Sequence, residues 1–146
     1  MENIKFTKVF KSEVYCVNDI IQELMTFLSK NLPALSPEDK GDFRLIFSEL
    51  LFNAVIHGNN QDINKSITLC VEILPSNIVF SSIQDEGNGF DFEKLLNQNH
   101  SSENEAAIFS ENGRGIKLVS SLTDKLSFNS IGNQIKFYKR VKAYNG

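Results

Sequence analysis

The stretch SELLFNAVIHGNN, residues 48–60, has the apolar pattern of a buried helix, yet Glu49 and Asn53 interrupt it on one face. Their i, i+4 spacing stacks them one turn apart, so the carboxylate and the amide point into the same space. A buried, unpaired carboxylate is costly or shifts its pKa, so a partner is expected. Mg²⁺ suits this pair, since asparagine offers a hard oxygen without adding charge. Alternatively, Glu49 reaches solvent and Asn53 caps a buried backbone group.

The same helix has clear start and stop signals. Ser36 is suited to the N-cap, Pro37 to the first helical position, and Asp39 to the positive end of the helix dipole. The apolar residues that follow predict a largely buried helix running to about His57, where Gly58 can take the left-handed conformation that ends helices. His57 can approach a ligand from there, although a histidine in the last turn also complements the dipole and needs no ligand.

Alternating apolar residues predict strands on either side of this helix. Residues 4–10 predict a half-buried strand, followed by a helix that starts near Asn18. KSITLCVEIL and NIVFSSIQ predict adjacent antiparallel strands joined at residues 75–77, and FEKLLNQ a short helical piece. GIKLVSSL predicts a helix, and DKLSFNSI and QIKFYKRV predict strands that meet at Gly132 and Asn133. We expect an α+β fold, a two-layer sandwich of one mixed or antiparallel sheet covered by helices on one face.

Length and composition narrow the class of protein. The 146 residues predict a single domain, residues 1–146. The net charge of −3 and the pI near 5.4 argue against a nucleic-acid partner. Cys16 and Cys70 lack metal or redox spacing and are expected to be buried free thiols. The N-terminal residues offer no apolar run for a signal peptide or a membrane span, so we expect a cytoplasmic protein without membrane contact.

Two glycine pairs follow the helix, one in QDEGNGFD and one in ENGRGIKLV. The first pair comes after a predicted strand, and the second opens a predicted helix, where amide groups and the dipole favour a phosphate. Each GxG alone is weak, since glycines serve turns at least as often as ligands. The third glycine of the Rossmann spacing and the lysine of the P-loop are both missing, which excludes those two nucleotide motifs.

Taken in order, however, ExxxNAxxHGN, DEGxGFD and GRGIxLV resemble the N, G1 and G2 boxes of the GHKL ATPase superfamily, which has the Bergerat, or histidine kinase-like ATPase, fold. The resemblance covers nearly the whole chain, from about Ile4 to the last strand. The short chain, the HGNN after the first motif and GNGFDFEKLL look most like the anti-sigma factor serine/threonine kinases of bacteria and related histidine-kinase-like ATP-binding proteins.

The resemblance implies a site for ATP and Mg²⁺. It places Glu49 as the general base and Asn53 as the Mg²⁺ ligand. Asp85 matches the aspartate that accepts a hydrogen bond from the adenine amino group, and residues 97–112 match the lid over bound nucleotide. Other positions in or beside the three motifs are expected to bind the nucleotide: His57, Gly87, Gly89, Phe90, Gly113, Arg114, Gly115 and Ile116. Arg114 is the one able to steady a triphosphate, unless it faces solvent.

By the same resemblance, the expected function is transfer of the γ-phosphate of Mg-ATP to a serine or threonine of an anti-anti-sigma-like partner in bacterial transcription regulation. Glu111 and Asn112 stand where some kinases of the family carry a basic residue. An ATP-dependent switch that binds a sigma factor or an antagonist protein without turnover is therefore the alternative. A sensor histidine kinase would need a phosphoacceptor histidine, which neither His57 nor His100 suits. The resemblance also implies a homodimer.

Overall fold

The computed structural model describes residues 4–89, 91 and 112–141, and its backbone forms the predicted α+β fold. Five strands make one sheet in the order β1-β2-β3-β5-β4, and every described pair is antiparallel, so the sheet is antiparallel rather than mixed. The strands are β1 (Ile4–Lys11), β2 (Ser66–Leu74), β3 (Ile78–Gln84), β4 (Lys125–Phe128) and β5 (Gln134–Arg140). The predicted pairing of β2 with β3 is confirmed.

Helices connect these strands. They are α1 (Val14–Asn31), α2 (Pro37–Asn53) and α3 (Asn112–Leu122). The Ser36 hydroxyl accepts a hydrogen bond from the Asp39 N–H at 3.0 Å, which confirms the predicted N-cap of α2. The helix α1 begins at Val14, before the predicted start near Asn18, because Val17 is fully buried and tertiary packing extends the helix backwards.

The end of α2 differs from the sequence prediction. After Asn53 the helix widens into a π-helical turn, Ala54–Gly58, which closes with a bond from the Asn59 N–H to the Ala54 carbonyl. Gly58 is not the left-handed residue; Asn60 and Gln61 are, with φ of 53° and 57°. The glycine serves another purpose there, since its missing side chain leaves room for Asp85.

The core lies between the helices and one face of the sheet. It contains most of the apolar stripe of α1, the centre of α2, the inward residues of the strands and the buried side of α3: Val17, Leu24, Leu28, Phe43, Phe47, Leu50, Leu51, Ile67, Leu69, Val79, Ile116, Val119 and Phe137. Leu45 is 38% exposed, so α2 is less completely buried than predicted. Cys16 and Cys70 are free, as expected, but half-buried rather than buried.

Some predictions fall on residues outside the described part of the chain. These are the short helical piece FEKLLNQ and, apart from Asn112, the lid over residues 97–112. Within residues 4–89 and 112–141, each helix is too short or too polar to cross a membrane.

Candidate functional site

The structure brings Glu49 of α2 against Gly115 in the first turn of α3. A Cβ on Gly115 would overlap the Glu49 Oε2 atom, so the carboxylate lies directly on the helix backbone where the glycine stands. Glu49 is half-buried. The polar face of the first motif and the glycine pair of the third motif, 66 positions apart, therefore share one site.

A second close approach surrounds Asp85, the residue after β3. A Cβ on Gly58 would overlap the Asp85 carboxylate, and a Cβ on Gly87 would overlap the Gly58 carbonyl oxygen. The Gly87 N–H donates to Asp85 Oδ1 at 2.8 Å. Two glycines, one from the end of α2 and one from the loop after β3, thus hold the carboxylate of Asp85 against the polypeptide backbone.

Asn53 and Asp85 line one cavity between α2 and the sheet. Its volume is about 10 Å³, close to the space that one water molecule needs. A purine ring could enter only if the walls of the cavity moved apart. Burial raises the pKa of Asp85 above its ordinary value, and the Gly87 N–H and the charge of Lys65 act in the opposite direction. The lining residues are Leu50, Asn53, Ala54, Ile83, Asp85, Gly132, Asn133 and Ile135.

The turn between β4 and β5 also forms part of this site. The Asp85 N–H donates to the Asn133 carbonyl at 2.9 Å, and Asn133 Nδ2 donates to the Gly87 carbonyl at 3.4 Å. Gly89, with φ of 98°, packs against the Ile131 carbonyl. Asn133 was predicted only as a turn residue, and the sequence carries no signal for its contact with the loop after β3.

The remaining predicted site residues are His57, Phe90, Gly113, Arg114 and Ile116. His57 is exposed and is not among the residues that line the cavity, and Ile116 is 2% exposed within the core. The backbone of Gly113 and Arg114 lies in the first turn of α3, whereas the side chain of Arg114 and the whole of Phe90 lie outside the described residues.

The side-chain oxygens of Glu49 and Asn53 fit a magnesium ion whose remaining ligands are substrate phosphates and water. The carboxylate of Glu49 and the amide of Asn53 lie one turn apart on α2. No group of three or more metal-ligating His, Cys, Asp or Glu side chains occurs among residues 4–89, 91 and 112–141. Mg²⁺ is commonly held by one or two protein oxygens together with substrate phosphates, and Asn53 can supply such an oxygen.

The α+β fold and the two glycine contacts agree with a GHKL-type ATPase domain. The model of the histidine kinase-like ATPase domain matches residues 12–139, and the chain belongs to this family. No protein of curated function matches the sequence significantly. Among the solved structures that match is the histidine kinase domain of the blue-light activated histidine kinase from Erythrobacter litoralis EL346, with a TM-score of 0.52 and 15% identity. The match covers 70% of this chain and 44% of that one, and it supports the fold alone.

Proposed function

We propose that this protein binds Mg-ATP and transfers the γ-phosphate to a serine or threonine hydroxyl of a partner protein. The observation that carries the proposal is the pair of backbone contacts made by Gly115 with Glu49 and by Gly58 and Gly87 with Asp85. Only a residue without a side chain lets a carboxylate approach the backbone this closely. These contacts lie at the first, second and third sequence motifs of a chain that belongs to the ATPase family.

Asp85 would select the base. Its carboxylate can accept a hydrogen bond from the exocyclic amino group of adenine, whereas guanine presents a carbonyl oxygen at that position and is repelled. The cavity beside Asp85 has to widen for a purine. Gly132, in the turn between β4 and β5, lines this cavity with φ of 87° and has no side chain. This turn is therefore the wall of the cavity with the least side-chain bulk.

Glu49 would act on the attacking hydroxyl. Its carboxylate accepts the proton of the serine or threonine O–H, the oxygen forms a bond to the γ-phosphorus, and the bond from that phosphorus to the bridging oxygen breaks, releasing ADP. Mg²⁺, held by Asn53 and the phosphates, supplies neutralisation of the phosphate charge. The first turn of α3, including Gly113 and Gly115, presents backbone N–H groups that suit a phosphate.

The proposed partner is an anti-anti-sigma-like protein, which places the reaction in bacterial transcription regulation in the cytoplasm. The support is the resemblance of HGNN and GNGFDFEKLL to the anti-sigma factor kinases, together with membership of the ATPase family. The neighbouring genes test this assignment, because a gene for a sigma factor, an antagonist domain or a phosphatase is expected beside this one. Their absence, together with no phosphorylation of such proteins, would contradict it.

The Glu49→Ala variant tests the catalytic step. Binding of Mg-ATP, measured by calorimetry, should stay within about threefold of wild type, while transfer of labelled phosphate should fall by at least about 100-fold. Glu23→Ala is the matched control, since it removes an exposed carboxylate from another helix. An unchanged rate in Glu49→Ala would remove this residue from the role, and no binding of Mg-ATP by the wild type would end the proposal.

A nucleotide-dependent binding switch is the second candidate. It is favoured by Glu111 and Asn112, which stand where some kinases of the family have a basic residue. In this case ATP orders the surface that a sigma factor or an antagonist protein contacts. Incubation with labelled ATP and candidate partners separates the two functions: a switch gives an ATP-dependent complex without phosphoprotein, whereas a kinase gives phosphoprotein.

We further propose a homodimer formed through β1 and α1. The strand β1 lies at one edge of the described sheet; Val9 within it is 62% exposed, and Tyr15 in the first turn of α1 is 73% exposed. An edge strand with exposed apolar residues is a template for pairing with a second chain. Sedimentation of the wild type should give a dimer, and Val9→Lys should shift it to the monomer; a wild-type monomer would refute this contact.

A further inference from the structure

Asn59, the last residue of the first motif, is a buried polar residue to which the resemblance assigns no role. It follows the π-helical turn at the end of α2 and is 0% exposed. Its side-chain Oδ1 accepts a hydrogen bond from the Glu86 N–H at 2.7 Å. Its Nδ2 donates to Ser12 Oγ at 2.6 Å and to the Ser66 carbonyl at 3.0 Å. Both donors and the acceptor of this carboxamide are therefore in use.

The acceptor end of Asn59 holds the loop that carries Asp85. Glu86 lies between Asp85 and Gly87, so the bond to its N–H fixes the backbone one residue after the proposed adenine-binding carboxylate. On the other side, the Asp85 N–H is bound by the Asn133 carbonyl. The loop is thus hydrogen-bonded on two sides, by Asn133 and by Asn59 of the first motif.

The donor end of Asn59 is anchored to the rest of the fold. Ser12, which lies between β1 and α1, is also 0% exposed, and both its N–H and its Oγ donate to the Lys65 carbonyl, at 3.1 and 3.0 Å. Ser66 begins β2, and its N–H donates to the Glu86 carboxylate at 2.5 Å. The bonds that join Asn59, Ser12 and the carbonyls of Lys65 and Ser66 form a largely buried network, in which each member fixes the orientation of the next.

We propose that Asn59 is a positioning residue for base recognition: it sets the distance between Asp85 and α2, and through it the affinity for ATP and the preference for ATP over GTP. This inference rests on the proposed function. Without Oδ1, the Glu86 N–H loses its partner, and the loop shifts to find another acceptor. The Asp85 carboxylate moves with it, so the bond to the adenine amino group weakens.

Three variants separate positioning from simple stabilisation. Asn59→Ala removes both ends of the network. Asn59→Asp keeps an oxygen that can accept from the Glu86 N–H but places a charge beside the Ser66 carbonyl. Ser12→Ala, the matched control, removes a buried partner of Asn59 and leaves the Glu86 bond in place. All three should be less stable than the wild type, because each leaves buried polar groups unpaired.

The affinities of the three variants for Mg-ATP and Mg-GTP, measured by calorimetry, should not follow their stabilities. Asn59→Ala should weaken ATP binding at least about tenfold with little change for GTP, whereas Asn59→Asp should stay within about threefold of wild type and Ser12→Ala within about twofold. Hydrogen exchange of the Glu86 amide without nucleotide should be fast only in Asn59→Ala. A merely structural role predicts instead that affinity follows the free energy of unfolding in all three variants.

Each outcome decides one claim. Equal ATP affinity in Asn59→Ala and wild type would overturn this inference while the proposed function stands, and so would equal losses in Asn59→Ala and Asn59→Asp. A wild-type protein that binds no Mg-ATP would overturn the proposed function as well. If Asn59→Ala does not fold, the Glu86 amide of Asn59→Asp decides: protection from exchange supports the inference, and loss of protection overturns it.

Discussion

Replacing Gly58 by alanine tests the packing of the end of α2 against Asp85. The three atoms that an added Cβ would meet first all belong to the Asp85 carboxyl group, and the farthest, Oδ1, lies at 2.9 Å, well inside the 3.4 Å at which ordinary contact begins. Overpacking of this kind lowers the free energy of unfolding by about 1–3 kcal/mol. Alanine also lowers the conformational entropy of the unfolded chain, which stabilises the folded state by about 0.4–1 kcal/mol. We expect a net destabilisation of about 1–2 kcal/mol.

Gly41→Ala is the matched control for this change. Gly41 lies on the exposed side of α2, and an added Cβ there has no heavy atom within 4 Å. Alanine should stabilise the helix at this position by up to about 1 kcal/mol. Urea unfolding at neutral pH, followed by circular dichroism, should therefore separate the two alanine variants by about 2 kcal/mol with similar dependence on urea. A stabilised Gly58→Ala variant would refute the reasoning.

The double variant with Asp85→Ala identifies the atoms responsible. Because the carboxyl group that the new Cβ meets is then absent, Gly58→Ala should cost at least about 1 kcal/mol less in this background than in the wild type. The same alanine at Gly87 should show less relief, since its Cβ meets the Gly58 carbonyl before it meets Asp85 Oδ1 at 2.9 Å, and the backbone clash stays. Effects of Gly58→Ala and Asp85→Ala that add to within about 0.5 kcal/mol would show that the two residues do not collide.

Two further predictions concern the same site. Gly115→Ala places a Cβ against the Glu49 carboxylate, which is the end of a flexible side chain and can move away. The free energy of unfolding, measured in urea, should therefore change by less than about 1 kcal/mol, while the rate of phosphoryl transfer should fall at least about tenfold. An unchanged transfer rate would contradict the proposed role of Glu49. Asp85→Asn keeps an acceptor for the Gly87 N–H and removes a charge. Burial raises the pKa of folded Asp85 above its ordinary value of 3.8, so at pH values between 3.8 and the raised pKa this carboxyl group binds more protons in the folded protein than in the unfolded chain. Its contribution to stability therefore falls as pH rises through that window. Urea unfolding from about pH 3 to pH 8 should show Asp85→Asn gaining stability relative to the wild type as pH rises through the window; a difference independent of pH would contradict this.

The sequence predicted most of the fold because the signals involved are local. The N-cap at Ser36 depends on a hydrogen bond across three residues, and the alternation in β2 and β3 depends on period two. The start of α1 and the end of α2 were less accurate. Val14 is helical although no capping signal precedes it. Gly58 does not end the helix but leaves room for the carboxylate of Asp85, a residue that is distant in sequence.

The stacking of Glu49 over Asn53 follows from the helical repeat, so the sequence by itself determined that a carboxylate and an amide share one face of α2. Only the tertiary structure decided what lies opposite them: Gly115 against Glu49, and the loop of Asp85 held by Asn59. The bond from the Glu86 N–H to Asn59 joins residues 27 positions apart, and the bond to Ser12 spans 47. Local periodicity carries no information about such pairs, because they form only when separate elements pack together.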